Sequence, residues 1–288
     1  MRCYLKKQLF LPLIIISLLL TFFKIDFSSS ANDNLLSIHI IDVGQGDCIL
    51  IQTPDKNNIL VDSGDEDSFP IINDYLHDLN IKLIHTLVIS HFDTDHIGSM
   101  DDIVNNFEVN SIYSPGDSKT SNAVFNLQTA CSYNNLTLNY VYANDTIYID
   151  EDISLHVLSP TYIQDNSNCN SIVFELNYLD KSFLFTGDCE SENEFDIINS
   201  YDLENIDFLK VAHHGSKSST TELFLDEVTP DIAAISCGYN NDYGHPHQST
   251  IKNLSDRDIS IFRTDLMGDL VFYSDGKSIF TKKNYLKE

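Results

Sequence analysis

The chain has 288 residues, room for one large domain or two small ones, with 17 Lys and Arg against 43 Asp and Glu and a formal net charge of −26. Its 42% hydrophobic content supports a real core and excludes wholesale disorder. The acidic balance excludes a passive nucleic-acid coat, which needs a basic footprint, so phosphate chemistry here requires metal ions to offset like charge.

Arg2, Lys6 and Lys7 precede an apolar run from Leu9 to Phe23 and a polar exit from Ser28 to Ala31. That order predicts a secretion signal or membrane anchor over 1–32, with possible membrane association, and a single domain over 33–288. The domain is expected to be secreted or anchored facing an oxidising, extracytoplasmic space. There some of Cys48, Cys131, Cys169, Cys189 and Cys237 could pair, leaving one over. No CxxC occurs, which argues against a zinc ribbon.

From Leu36 to Val43 a strand pattern ends in Gly44-Gln45-Gly46-Asp47, and strands follow at 48–53 and 58–61, the last ending in Asp62-Ser63-Gly64. Residues 68–80 show helical spacing and 83–90 a strong β run, a strand–helix–strand order that implies a layered α/β unit. Helices are expected at 100–107, 121–133, 190–198 and 219–228, with strands at 109–113, 172–178, 182–185, 206–212, 232–236, 259–263, 269–273 and 278–281. Two β-rich stretches, 137–149 and 153–158, precede a polar loop at 164–170.

The chemistry concentrates in Ser90-His91-Phe92-Asp93-Thr94-Asp95-His96-Ile97-Gly98, at the C-terminal end of a buried strand, where open sheets hold their sites. Imidazoles and carboxylates so closely spaced can present nitrogen and oxygen ligands to divalent ions.

His91-x-Asp93-x-Asp95-His96-x-Gly98 resembles the metal-binding loop of the metallo-β-lactamase-fold hydrolases. The form with Asp93 where many members carry His is similar to the extracytoplasmic hydrolase domain of the ComEC/Rec2 competence proteins and their stand-alone relatives. Asp42 to Asp47, Asp62-Ser63-Gly64, Phe185-Thr186-Gly187-Asp188, Leu209 to Ser216, Tyr243-Gly244-His245-Pro246 and Arg263-Thr264-Asp265 match in family order.

The resemblance implies an α/β fold, an αββα sandwich of two mixed sheets flanked by helices, and two divalent ions, zinc or manganese. One ion takes His91, Asp93 and a bridging Asp188; the other takes Asp95, His96, Asp188 and His213. His213 is preferred to His214 because Leu209, Val211 and His213 alternate on one strand face. Many members carry a further His where this chain reads Cys169-Asn170-Ser171, so the His91/Asp93 site is expected to be weak, with water or Asn170 completing it and His156 a poor substitute.

Asp95 would orient the nucleophile and His245 would contact a phosphoryl oxygen or protonate a leaving group, His247 having the poorer case. Ser216 and Lys217, opening a helix, would seat the substrate anion with Asn240 and Asn241 nearby, while Asp47, Asp62 and His214 would support the ligands from behind. Lys210 and Lys217 are the local cations. The expected substrate is a phosphodiester, DNA or oligonucleotides leading. The alternatives are a small-substrate phosphoesterase of the envelope and a non-catalytic ligand- or partner-binding protein of the same fold; no obligate protein partner is evident.

Overall fold

The computed structural model describes residues 35–203 and 205–282. The secretion signal or anchor expected over 1–32 lies outside the described residues, and so does Cys3. Three strands open the chain, β1 (Leu36–Ile40), β2 (Ile49–Gln52) and β3 (Asn58–Val61), followed by α1 (Phe69–Asp78), β4 (Leu83–Val88), the single-turn α2 (Thr94–Ile97), α3 (Met100–Asn106), β5 (Glu108–Ser114), α4 (Asn122–Tyr133) and β6 (Leu138–Tyr140). The second half contains β7 (Thr146–Tyr148), β8 (Ser154–Ser159), β9 (Val173–Tyr178), β10 (Lys181–Phe185), α5 (Ser191–Ser200), β11 (Phe208–Lys210), α6 (Glu222–Val228), β12 (Ile232–Ile235), α7 (Gln248–Ser255), β13 (Ser260–Arg263), α8 (Thr264–Met267), β14 (Leu270–Ser274) and β15 (Ile279–Phe280).

These strands form an eight-stranded sheet in the order β15-β14-β1-β2-β3-β4-β5-β6 and a seven-stranded sheet in the order β13-β12-β11-β10-β9-β8-β7. Both are mixed: β3 to β6 run parallel in the first and β10 to β13 in the second, with antiparallel neighbours completing each. Central strands are buried on both faces, which is why they read as near-continuous apolar runs. Alternate residues nevertheless go to different layers. Ile49 and Ile51 of β2, Phe183 and Phe185 of β10, and Phe272 of β14 fill the space between the sheets. Leu50, Leu60 and Leu87 turn the other way, against Ile72 and Leu76 of α1 and Met100 and Ile103 of α3. Leu184, Leu209 and Ile235 pack outward on Ile197, Phe224 and Leu254 of α5, α6 and α7. The result is an αββα sandwich.

Helix α7 was not signalled by the sequence: only Thr250 and Leu254 are buried in it, too few to mark a period. The helix expected over 219–228 begins at Glu222, capped by the Thr221 hydroxyl, which accepts from the Phe224 N–H. All five cysteines of the described residues are buried and unbridged, so the expected pairing does not occur among them. No helix of the described residues is long and apolar enough to cross a membrane.

His39 on β1 is buried, its ring bonded to the Tyr75 hydroxyl at 2.8 Å and Ser37 Oγ at 3.0 Å. Burial lowers its pKa from 6.5 to about 4, so as pH falls the unfolded chain takes up a proton before the folded chain does. Stability is therefore intact above the unfolded value and is lost as pH drops through that window, by ~3 kcal/mol in total. Urea melts across the window should show this slope in the wild type and its loss in His39→Gln; equal slopes would show that His39 is not its source.

Candidate metal centre

The chemistry-bearing side chains gather at the C-terminal ends of parallel strands from both sheets. Beyond β3 lies Asp62, beyond β4 lie Ser90 and His91, beyond β10 lies Asp188, and beyond β11 a tight turn carries His213 and His214. Asp95 and His96 are adjacent on α2, a turn closed by the His96 and Ile97 N–H groups donating to the Asp93 carbonyl. The loop is pinned to its neighbours by Ser63 N–H donating to the His96 carbonyl at 2.7 Å and by Asp47 N–H donating to that of Asp95 at 3.2 Å. Gly187 has φ +49°, and a Cβ there would lie 2.9 Å from Ser90 Cβ, so the turn delivering Asp188 admits only glycine without adjustment.

Asp95, His96, Asp188 and His214 each offer a ligand atom, all within 4.8 Å of one another. His96 Nε2 lies 3.3 Å from Asp188 Oδ1, and His214 Nε2 lies 3.3 Å from Asp95 Oδ2 and 3.6 Å from Asp188 Oδ2. None of these contacts is aligned as a hydrogen bond for His96 Nε2, His214 Nε2 or Asp188 Oδ1, which are buried without partners. Buried polar atoms are rarely left so, and here they aim at a common point. Burial alone would raise Asp95, but the His214 contact and the charge of His96 hold it at about 2. Burial would likewise lower His214, yet Asp188, Asp47 and Asp95 push it up to about 10. The carboxylates thus call for positive charge, and the cluster can exchange imidazole protons for a divalent ion. A nitrogen-and-carboxylate set of this kind fits zinc or manganese.

The ligating atoms are oriented from behind. Asp62 Oδ2 accepts from His96 Nδ1 at 2.7 Å and from Ser90 Oγ at 2.6 Å, while Oδ1 accepts from Ser90 N–H at 2.7 Å. His214 Nδ1 donates to the Ser236 carbonyl at 3.0 Å and lies 3.4 Å from Asp47 Oδ1. Both rings therefore present Nε2 to the centre.

His214, not His213, completes the cluster, which corrects the strand-alternation assignment. β11 ends at Lys210, and residues 212–215 form a turn with both histidines in the left-handed region, at φ 50° and 53°, so alternation does not continue to 213. His213 instead sets Nδ1 3.2 Å from Glu190 Oε1, with Nε2 3.7 Å from Asp188. His91 is fully buried with Nε2 3.6 Å from Asp93 Oδ1 and, like His96 Nε2 and His214 Nε2, without a hydrogen-bond partner, while Asp93 is paired with Lys119.

Lys210 is no surface cation: it is fully buried, 2.7 Å from Asp47. Ser216 is buried with its hydroxyl on that of Ser218, and Lys217 is exposed. The anion seat expected at the following helix is already filled, because the Glu194 carboxylate accepts from the Thr220 and Thr221 N–H groups. Asn240 is exposed, whereas Asn241 builds the loop, donating to the Gly238 and His245 carbonyls and accepting from Tyr243 and His245 N–H. His245 stands at the rim, its ring 5.5 Å from that of His213 and 6.2 Å from that of His214, with Nδ1 unpartnered. His247 accepts from Lys217 N–H, and His156 is exposed on β8. Lys119, Glu190 and Glu194 were missed. A lysine just past β5, beside the motif-bearing β4, was the available signal for the first.

The family model of the metallo-beta-lactamase superfamily matches residues 41–239. The chain is 30% identical over 253 residues to ComE operon protein 3 of Bacillus subtilis, covering 82% of this chain and 32% of that protein. It is 31% identical over 240 residues to recombination protein 2 of Haemophilus influenzae, covering 81% and 28%. The chain thus spans about a third of the length of these curated relatives. Among solved structures, the metallo-beta-lactamase fold protein YhfI of Bacillus subtilis superposes with a TM-score of 0.58 at 12% identity, covering 83% of this chain and 100% of that one.

Titration with manganese followed by calorimetry should show His214→Ala losing more affinity than His213→Ala, and Asp62→Ala losing ~10–100-fold. The reverse order for the two histidines would return the ligand to His213. Separately, Lys210→Met leaves Asp47 buried without its lysine, with only His214 beside it, and should cost ~3–5 kcal/mol in urea unfolding.

Proposed function

The chain belongs to the metallo-β-lactamase superfamily, and from that membership we propose that it is a metal-dependent phosphodiesterase acting on DNA or oligonucleotides outside the cytoplasm. The observation that carries hydrolysis is the convergence of Asp95, His96, Asp188 and His214, with buried ligand atoms left unpartnered. These four side chains would hold a divalent ion, zinc or manganese, which when bound would supply Lewis acidity to a water and positive charge against a phosphoryl group.

Asp95 is the member of the cluster open to solvent, its side chain 33% exposed against 4% or less for Asp188 and His214. That exposure supports Asp95 as the carboxylate that orients the nucleophile. His245 is half-buried beside His213 and His214; burial first, then the charge of those rings, lowers it to about 4. A neutral imidazole at the rim serves as a hydrogen-bonding contact to a phosphoryl oxygen better than as a proton donor, which narrows the role expected from the sequence.

The nucleotide preference is supported by Tyr243, which is 67% exposed and stacked on His245 with ring centroids 5.7 Å apart. An exposed aromatic beside the reacting phosphate is a platform for an unpaired base. The name of the recombination protein of Haemophilus influenzae points the same way. The net charge of −26 and the burial of Lys210 favour a second reading, a phosphoesterase for small substrates, since long-range attraction for a strand is absent. Placement outside the cytoplasm is supported by Arg2, Lys6 and Lys7 ahead of the apolar run.

The test is manganese- or zinc-dependent hydrolysis of bis(p-nitrophenyl) phosphate and single-stranded DNA by the full chain. Asp95→Asn should lower kcat ~10²–10⁴-fold on both substrates. Tyr243→Ala should raise KM for DNA by ~10-fold and leave the small diester unchanged, because stacking contributes ~1–3 kcal/mol per base. No turnover from folded, metal-loaded protein would overturn the phosphodiesterase reading; turnover of the small diester alone would select the second.

A further inference from the structure

The resemblance assigns Asp93 to a second ion with His91 and Asp188. Among the described residues, two groups of three or more ligating side chains converge within 4.8 Å, Asp95/His96/Asp188/His214 and Asp47/Asp62/His96, and neither contains His91 or Asp93. Asp93 has another cation at hand, for the Lys119 ammonium lies 2.5 Å from its Oδ1.

Lys119 is held there by more than a surface encounter. Its own N–H donates to Asp117 Oδ1 at 2.9 Å, and Asp117 Oδ2 accepts from Asn170 Nδ2 at 2.8 Å. Asn170 is fully buried, with Nδ2 also donating to the Gln164 carbonyl at 3.0 Å and Oδ1 accepting from Gln164 N–H at 2.7 Å. Asn170 stands in the stretch where the resemblance implies a further histidine ligand. The side chain at that position therefore serves as a strut: it locks Asp117, which fixes the backbone of the residue whose ammonium sits on Asp93. A missing ligand and an added cation are two ends of one hydrogen-bonded chain.

We propose that Lys119 stands in place of the second metal ion, so that this centre holds one divalent ion, in the Asp95/His96/Asp188/His214 cluster. The ammonium neutralises Asp93 and repels a cation approaching the His91/Asp93 pocket. It also leaves a positive charge at Asp93, two residues from Asp95 of the cluster, of the kind a phosphoryl oxygen requires. The inference rests on the cluster being a metal site and not on the identity of the substrate.

The full chain is to be equilibrated with manganese and, separately, with zinc, and the bound ions counted by native mass spectrometry and calorimetry. The wild type should bind one ion. Lys119→Ala and the isosteric Lys119→Met should admit a second, with its Kd at least ten times tighter than any second binding in the wild type, while Lys119→Arg should remain at one. Because Lys119 is on a loop and its side chain is 33% exposed, unfolding midpoints of these variants should match the wild type. Two ions of similar affinity in the wild type, no ion at all, or a count that stays at one in both charge-removing variants would overturn the proposal. The count needs no substrate, so an inactive chain that binds one ion and gains a second in Lys119→Ala and Lys119→Met would support Lys119's role and overturn only the phosphodiesterase reading.

Discussion

A carboxylate buried at the end of β3 constrains everything built around it. Asp62 is 1% exposed, and a desolvated anion at such a position is tolerated only if its oxygens are matched by donors. The three donors it uses are Ser90 N–H, Ser90 Oγ and His96 Nδ1, so one side chain ties the ends of β3 and β4 to the helical turn of α2. Satisfying that charge simultaneously fixes the tautomer of His96 and leaves Nε2 facing the centre. Asp47 does the corresponding work between the sheets: it lies in the β1–β2 loop of one sheet, pairs with Lys210 on β11 of the other, and lies against His214. Fold and site are thus coupled through buried charge, and removing one partner from such a network leaves the other charge buried without an answer.

The strands were legible because burial on both faces leaves long apolar runs, and their ends were legible because Gly and Asp interrupt those runs at Asp62-Ser63-Gly64 and Thr186-Gly187-Asp188. The loop from His91 to His96 was legible for the same reason, since several ligand types within one short turn have no packing explanation. Features that depend on the third dimension were not. Whether His213 or His214 faces the centre depends on where β11 stops, a boundary that no local pattern marks. Lys210 reads as a surface cation, because lysine is almost never buried without a partner, and its partner is far away in the sequence at Asp47. The seat expected at α6 fails because Glu194, on a different helix, already occupies it. In each case the competing fact was a tertiary contact between residues distant along the chain.

The distribution of charge follows one plan throughout. Negative groups concentrate at the strand ends, and each is answered individually: Asp62 by histidine and serine, Asp47 by a buried lysine, Asp93 by a loop lysine, and Asp95 and Asp188 by imidazoles. A chain with so large a negative excess cannot rely on the average field to hold such a site together, and local pairing does it instead. It also means that the identity of each counter-charge, proton, metal or ammonium, is decided by the few atoms in contact with it.

The turn at residues 212–215 has a consequence of another kind. Two consecutive non-glycine residues, His213 and His214, hold left-handed backbone angles, a conformation that costs an L-residue ~1–2 kcal/mol each. Glycine would remove that cost, and with it the imidazoles. Selection for a more stable protein and selection for the site therefore oppose each other at these two positions, and a search for thermostable sequences scored on folding alone would be drawn to substitute them first.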